Sequence, residues 1–253
     1  MSTAQGLMTL ANITSGKLQK AIRQVIYGTE GVGKTSYAAK ATAPVFIGTE
    51  DGTSQLDVSR FPSPQNWDNV FDAIDTLYSQ DHDFKTVVLD SADWALKLCV
   101  RHVCAKANVE SIEDIPYGRG HIKAAEEFQR LLRGLDALVS KGMHVVVIAH
   151  SEIVTFKDPA GDAYDHYTIA CGKRVTPMLK EWADCVFFAD FDKSVRKVGE
   201  GFNERTIAKS YGNRIMYTEH RASHDAKNRF GLPERMALDW NEFEAAVNNY
   251  FNQ

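Results

Sequence analysis

The chain has 253 residues, of which 44% are hydrophobic, and carries a formal net charge of −4. Its length allows one large α/β core, and its acidic balance argues against a generally basic nucleic-acid-binding surface, so any such binding must use local patches. No stretch reaches the roughly 18 apolar residues of a membrane span, and the N-terminus lacks the pattern of a signal peptide. The four cysteines show no metal-ligand spacing. These features predict a soluble cytoplasmic protein without a disulfide framework.

A glycine-rich motif begins at Gly28, directly after an apolar run that is typical of a β-strand. The segment GTEGVGKTS satisfies the phosphate-loop pattern G-x-x-x-x-G-K-[ST] at every fixed position. Glycines let backbone amides wrap a phosphate chain, Lys34 supplies positive charge for the β- and γ-phosphates, and the Thr35 hydroxyl is a hard ligand for Mg²⁺. The motif therefore predicts that the chain binds ATP and Mg²⁺. The residues expected to contact the nucleotide are Gly28, Thr29, Glu30, Gly31, Val32, Gly33, Lys34, Thr35 and Ser36.

The apolar pattern of the chain predicts an α/β fold with a mainly parallel central sheet. Continuous apolar runs suit strands that are buried on both faces, and the four runs span 22–27, 44–49, 86–90 and 144–149. Apolar residues at helical spacing predict helices within 67–78 and 122–139, and a run of good helix formers follows the phosphate loop over 36–41.

The last third of the chain has a different pattern. Shorter strand-like runs at 185–189, 205–208 and 215–218 predict antiparallel strands, and Asp239 begins a final amphipathic helix. There is no repeat, low-complexity tract or linker, so we expect one domain over residues 1–253. Within it we expect an N-terminal extension over 1–20, a β-rich part over 184–238 and a terminal helix over 239–253.

Three polar residues follow predicted strands and are candidates for chemistry on the nucleotide. Asp90 ends the strand over 86–90, which is the expected position of the acid that holds Mg²⁺ opposite Thr35. Ser91 follows it, so the acidic pair of AAA+ proteins is missing at this point. Because the carboxyl ends of parallel strands converge, Glu50 could act as the general base that activates water; the alternative is a solvated acid in a loop. Asp51 could take that role instead, but with Gly52 next to it, it is more typical of a turn residue.

His150 ends the strand over 144–149 and faces the same edge of the predicted sheet. It could contact the γ-phosphate and report hydrolysis to the segment that follows. Alternatively, it is a hydrogen-bonded histidine at a strand end with no role in catalysis.

The order of these motifs resembles that of the RecA-like core ATPases, and a segment near the C-terminus adds to the resemblance. The sequence DAKNRFGLP over 225–233 is similar to the Lys-x-Arg segment of replicative DnaB-type helicases and RecA-like proteins. In those proteins the two cations reach across a subunit interface to a neighbour's γ-phosphate. The resemblance implies this role for Lys227 and Arg229; a solvated basic turn is the alternative.

From about Arg23 to Leu238 the chain resembles phage-encoded, core-only RecA-like ATPases, the AAA_24 family of nucleotide-binding proteins. Some members are single-strand annealing recombinases that act with a single-strand DNA-binding protein. The resemblance implies ATP hydrolysis, a homo-oligomeric filament or ring, single-stranded DNA as a partner, and a location in the host cytoplasm. Departures from RecA are the expected absence of its polymerisation and DNA-gathering domains, and His150 where RecA has glutamine; both weaken the case for strand exchange.

The resemblance also implies that DNA meets two loops, over about 108–121 and 152–180. Aromatic residues interleaved with cations favour single-strand binding through base stacking and phosphate neutralisation. The second loop contributes Phe156, Lys157, Tyr164, Tyr167, Lys173 and Arg174. The first contributes Arg119. Each set has a structural alternative: a hairpin packed on the body, with a turn at 158–161, and a simple connector.

Two other functions are compatible with a phosphate loop. A phosphotransferase of the small-molecule kinase type would carry lid arginines after the sheet, and the Lys227–Arg229 segment lies too late in the chain to favour it. A nucleotide switch that loads a replication protein would not need turnover and would tolerate the loss of Glu50.

Overall fold

The computed structural model describes residues 8–157, 159, 161–198 and 205–252. The predicted turn at 158–161 therefore lies partly outside the described residues. The strands are β1 (Arg23–Gly28), β2 (Pro44–Gly48), β3 (Ser59–Arg60), β4 (Thr86–Asp90), β5 (His144–Phe156), β6 (Tyr164–Ile169), β7 (Cys185–Val198), β8 (Arg205–Tyr217) and β9 (Arg235–Ala237). The helices are α1 (Lys34–Ala38), α2 (Trp67–Ser79), α3 (Ala92–Ala107), α4 (Arg119–Ser140), α5 (Gly172–Trp182) and α6 (Trp240–Phe251).

The described strands form one sheet in the order β3-β2-β4-β5-β1-β7-β8-β9, and β6 pairs with the extended end of β5. Strands β3, β2, β4, β5, β1 and the first part of β7 run parallel, whereas β8 and β9 are antiparallel additions. Strand β5 lies between β1, which leads into the phosphate loop, and β4, which ends in Asp90. All of the parallel strands therefore deliver their carboxyl ends to one edge.

Helices cover both faces of the sheet because successive residues of its buried strands alternate between two cores. Val25 and Tyr27 of β1 belong to the core that α2, α3, α4 and α5 cover. Ile26, between them, belongs to the core beneath α1 and α6. The predicted α/β fold class is confirmed, with a mainly parallel sheet, flanking helices, C-terminal antiparallel strands and a terminal helix.

Several predicted boundaries need correction. Helix α1 starts at Lys34 and ends at Ala38, whereas the run of helix formers was expected to span 36–41. The predicted strands at 205–208 and 215–218 are one strand, β8, and β5 continues beyond Ala149 to Phe156. Asp239 caps α6 by accepting hydrogen bonds from two backbone amides, which confirms the predicted helix start.

The two segments predicted as DNA-binding loops are largely regular structure. The segment 152–180 contains the antiparallel β5–β6 hairpin, as its alternative interpretation required, and then most of α5. The segment 108–121 contains two short 3₁₀ turns and the start of α4, so Arg119 lies in a helix. Cys99 and Cys104 are buried in α3 and are free thiols. Among the described residues, no helix is long and apolar enough to cross a membrane.

Candidate nucleotide-binding and hydrolysis site

The phosphate loop connects β1 to α1 through glycines that the backbone requires. A Cβ atom on Gly28 would lie 2.1 Å from the carbonyl oxygen of Ala189 on β7, so no larger residue fits there. Gly31 and Gly33 have φ angles of 72° and 99°, which L side chains rarely adopt. The loop therefore turns back over the sheet edge and presents its amides at the start of α1.

Lys34 is folded over the loop that precedes it. Its Nζ atom donates hydrogen bonds to the carbonyl oxygens of Gly28 and Thr29, both at 2.9 Å. Burial lowers the pKa of this ammonium, while the nearby carboxylates Asp90 and Glu50 act in the opposite direction. A buried cation attached only to neutral carbonyls is well suited to phosphate oxygens.

Thr35 and Asp90 face each other as the sequence predicts for a magnesium site. The Thr35 hydroxyl donates to Oδ2 of Asp90 at 2.8 Å. Asp90 is 1% exposed, and within the described chain its Oδ1 atom has no hydrogen-bond partner. Burial raises the pKa of this carboxyl to about 6. A buried, unpaired carboxylate oxygen beside a hydroxyl fits a hard cation, so these two residues are suited to hold Mg²⁺.

Glu50 lies beside this pair, just after the end of β2. Its carboxylate accepts a hydrogen bond from the Ser91 hydroxyl at 3.3 Å, and its backbone amide donates to the Asp90 carbonyl at 3.3 Å. It lines the same cleft of about 360 Å³ as the phosphate loop, whereas Asp51 is exposed and outside that lining. This arrangement favours Glu50 over Asp51 as the general base, a role that stays a prediction.

His150 is held by a partner that the sequence did not reveal. Asp93, in the first turn of α3, accepts hydrogen bonds from the His150 backbone amide at 3.1 Å and from its ring Nδ1 at 3.0 Å. Burial acts to raise the pKa of Asp93, but these hydrogen bonds outweigh it and leave the pKa lowered. Glu50, Asp93 and His150 each place a polar atom within 4.8 Å of the others.

Lys227 and Arg229 lie at the opposite end of the sheet, beside Asp184 at the start of β7. The Lys227 ammonium donates to three carbonyl oxygens at the end of α5, those of Lys180, Glu181 and Ala183, at 3.0, 3.1 and 2.7 Å. Arg229 is 3.5 Å from Asp184 and its side chain is 56% exposed. Neither cation lies in the nucleotide site of its own subunit. Arg229 is exposed and Lys227 is half-buried, so Arg229 is the more accessible of the two to a neighbouring subunit.

The predicted DNA contacts separate into exposed and packed residues. Phe156 and Tyr164 pair across the hairpin with ring centroids 5.4 Å apart, and Phe156 is 46% exposed. Tyr167 stacks on the core residue Phe188 at 5.0 Å, so its expected place in an open loop is wrong. Tyr167 is half-buried, between the buried residues His166 and Thr168. The exposed cations are Lys157 at the hairpin, Lys173 and Arg174 in the first turn of α5, and Arg119 in the first turn of α4.

The fold and this site define a nucleotide-binding P-loop ATPase. Comparison with known proteins gives its family: the chain belongs to AAA_24, described as an AAA domain, which matches residues 20–230. The SPbeta prophage-derived uncharacterized protein YorG of Bacillus subtilis (strain 168) is 25% identical over 144 residues, which cover 55% of this chain and 42% of that protein. The match thus spans less than half of that relative. The RadB recombinase structure matches with a TM-score of 0.47 and 17% identity, over 85% of this chain and 84% of that one.

Proposed function

We propose that this chain is a phage ATPase that hydrolyses ATP at the phosphate loop and acts on single-stranded DNA in recombination by annealing, or in replication. The observation that carries the proposal is the position of Glu50, which shares a cleft with Lys34, Thr35 and Asp90. A carboxylate there can orient water towards the γ-phosphate and accept its proton. The prophage origin of the YorG relative supports a phage setting, in which the protein would act in the host cytoplasm.

Each residue of the cleft would have its own role in ATP hydrolysis. Lys34 would bind the β- and γ-phosphates, and Thr35 and Asp90 would hold Mg²⁺, which supplies charge neutralisation when bound. Glu50 would activate the water. His150, fixed by Asp93 at 3.0 Å, would contact the γ-phosphate from the end of the parallel part of β5.

Strand β5 supports a link between the nucleotide and DNA. It runs without interruption from the parallel sheet through His150 to Phe156 at the far end of the β5–β6 hairpin. At about 3.4 Å per residue, these two residues are roughly 20 Å apart along one strand. Ile153, Val154 and Phe156 are 59%, 38% and 46% exposed, so the hairpin presents apolar and aromatic surface to a partner. Bases could stack on Phe156 while Lys157, Lys173 and Arg174 neutralise phosphates.

The decisive experiment measures ATP turnover with and without single-stranded oligodeoxythymidine. We expect DNA to stimulate the wild type and to have little effect on Phe156→Ala or on Lys173→Ala/Arg174→Ala, while basal turnover persists in both. A matched control, Lys123→Ala/Arg133→Ala, removes two exposed cations from α4 and should keep the stimulation. The DNA part of the proposal fails if DNA changes neither turnover nor assembly of the wild type.

Assembly is tested separately by electron microscopy with single-stranded DNA and a slowly hydrolysed ATP analogue. Filaments or rings with nucleotide between subunits are expected, because Arg229 is far from its own phosphate loop and could act only on a neighbour's. Isolated monomers under these conditions would contradict the proposed subunit interface.

A further inference from the structure

Arg214, on β8, lies directly against the phosphate loop. A Cβ atom built on Gly33 would be 2.7 Å from an Nη atom of Arg214 and 3.4 Å from its Cδ atom. The side chain also lines the cleft that contains Lys34, Glu50 and Asp90. This residue is 181 positions after Gly33 in the chain, and no motif pointed to it.

The backbone of Arg214 is fixed on both sides. It pairs with Phe191 of β7, next to a register shift, and its carbonyl accepts a hydrogen bond from the Leu238 amide at 3.0 Å. Within the part of the chain that the structure describes, its guanidinium has no ion-pair or hydrogen-bond partner. A second positive group therefore lines the cleft that contains Lys34 and the phosphate loop. Two positive groups that line one cleft favour the binding of an anion there.

We infer that Arg214 binds the α- and β-phosphates of a nucleotide held by the phosphate loop of the same subunit. Amides around Gly33 are those that cradle the α- and β-phosphates, and a guanidinium offers paired donors that match phosphate oxygens. The inference rests on nucleotide binding at the proposed site and adds a residue that acts in cis. Because ADP and ATP share this diphosphate, Arg214 must affect both nucleotides, unlike Glu50, which acts on hydrolysis.

The test is a titration of fluorescent ADP and of a slowly hydrolysed fluorescent ATP analogue, in the presence of Mg²⁺. In Arg214→Ala both affinities are expected to fall roughly tenfold to hundredfold, the usual effect of losing hydrogen bonds to a charged group. The affinities of Arg214→Lys should lie between those of Arg214→Ala and the wild type, because lysine keeps the positive charge but lacks the paired N–H donors of a guanidinium. Arg101→Ala, which removes an exposed arginine from α3, is the matched control and should bind like the wild type.

The outcomes separate the two claims. If the wild type binds ADP and Arg214→Ala binds it equally well, the role of Arg214 is overturned while the proposed function stands. A loss confined to the ATP analogue would also overturn it, because that result requires contact with the γ-phosphate alone. If the wild type binds neither nucleotide, the proposed function itself is overturned. Arg214 is exposed, so the melting temperatures of both variants without nucleotide should match that of the wild type.

Discussion

Asp93 holds His150 at two points, through the backbone amide at 3.1 Å and through ring Nδ1 at 3.0 Å. A carboxylate can only accept hydrogen bonds, so Nδ1 carries a proton and Nε2 is the ring atom left for another contact. The pair links the first turn of α3, which follows Asp90, to the strand that runs on to the hairpin.

We expect Asp93→Asn to lower kcat about tenfold or more while changing KM for ATP little, because the ring would lose its orientation and the nucleotide its γ-phosphate contact. Steady-state kinetics of ATP hydrolysis, which gives kcat and KM separately, checks this prediction. Asp68→Asn is a matched control, since Asp68 occupies the same place in the first turn of α2. Equal kcat in Asp93→Asn and wild type would show that the pair is only structural.

Glu50→Gln should abolish most turnover and preserve nucleotide binding. The amide keeps the shape of the side chain and a hydrogen bond with Ser91, but it cannot accept a proton from water. A fall in kcat of roughly 10²- to 10⁴-fold is the usual loss for a general base. Asp51→Asn, one residue away and outside the cleft, should retain near-normal turnover.

The same variant separates the proposed ATPase from a switch that works without hydrolysis. If Glu50→Gln stops turnover and DNA annealing still proceeds at the wild-type rate, turnover is not needed for the biological output. If turnover itself survives, Glu50 is not the base.

Asp90 should make magnesium-dependent binding sensitive to pH. Burial raises its pKa to about 6, so below this pH the carboxyl holds a proton that Mg²⁺ must displace. We expect the affinity for Mg²⁺-ADP to weaken as pH falls from 7 to 5, by up to roughly tenfold per pH unit below the pKa. Asp90→Asn should bind Mg²⁺-ADP weakly at every pH, and its affinity should no longer depend on pH in this range. If the affinity of Asp90→Asn still changes with pH as it does in the wild type, another group causes the pH dependence.

The same carboxyl should affect stability in the absence of Mg²⁺ and nucleotide. Its folded pKa is raised from 3.8, so folding takes up a proton between about pH 4 and 6 and stability falls as pH rises through that window. The cost at pH 8 is about 3 kcal/mol for a shift of this size. Urea unfolding should therefore find Asp90→Asn more stable than the wild type at pH 8, with the difference shrinking towards pH 4. If the difference in the free energy of unfolding between Asp90→Asn and the wild type is the same at pH 4 and pH 8, the Asp90 carboxyl does not cause the pH dependence of stability.

The sequence identified the parts of the site that are contiguous or that end apolar strands. The phosphate loop, Asp90 and Glu50 were predictable because a parallel sheet brings strand ends to one edge. Asp93 and Arg214 were not, because each depends on which element packs beside the loop. Tyr167 was wrongly expected to lie in an open loop, because an aromatic residue among polar residues gives the same sequence pattern whether it packs on the core or faces solvent.

Arg229 should complete the site of a neighbouring subunit, and a mixing experiment tests this directly. Lys34→Ala lacks a working phosphate loop and keeps Arg229, whereas Arg229→Ala has the reverse defect. Each should be nearly inactive alone, since a trans-acting arginine contributes about 10³- to 10⁵-fold to hydrolysis. Mixed on single-stranded DNA, they should regain turnover at interfaces that pair an intact loop with an intact arginine.

Arg221→Ala is the control for this experiment, because its side chain is 50% exposed and also ion-paired at the surface. It should remain active alone, since an ion pair that is exposed to solvent contributes little to stability. Lys227→Ala should instead lower the free energy of unfolding, because its ammonium caps the end of α5. If the two inactive variants assemble together and regain no activity, Arg229 does not act across the interface, because co-assembly would already have placed intact arginines beside intact loops.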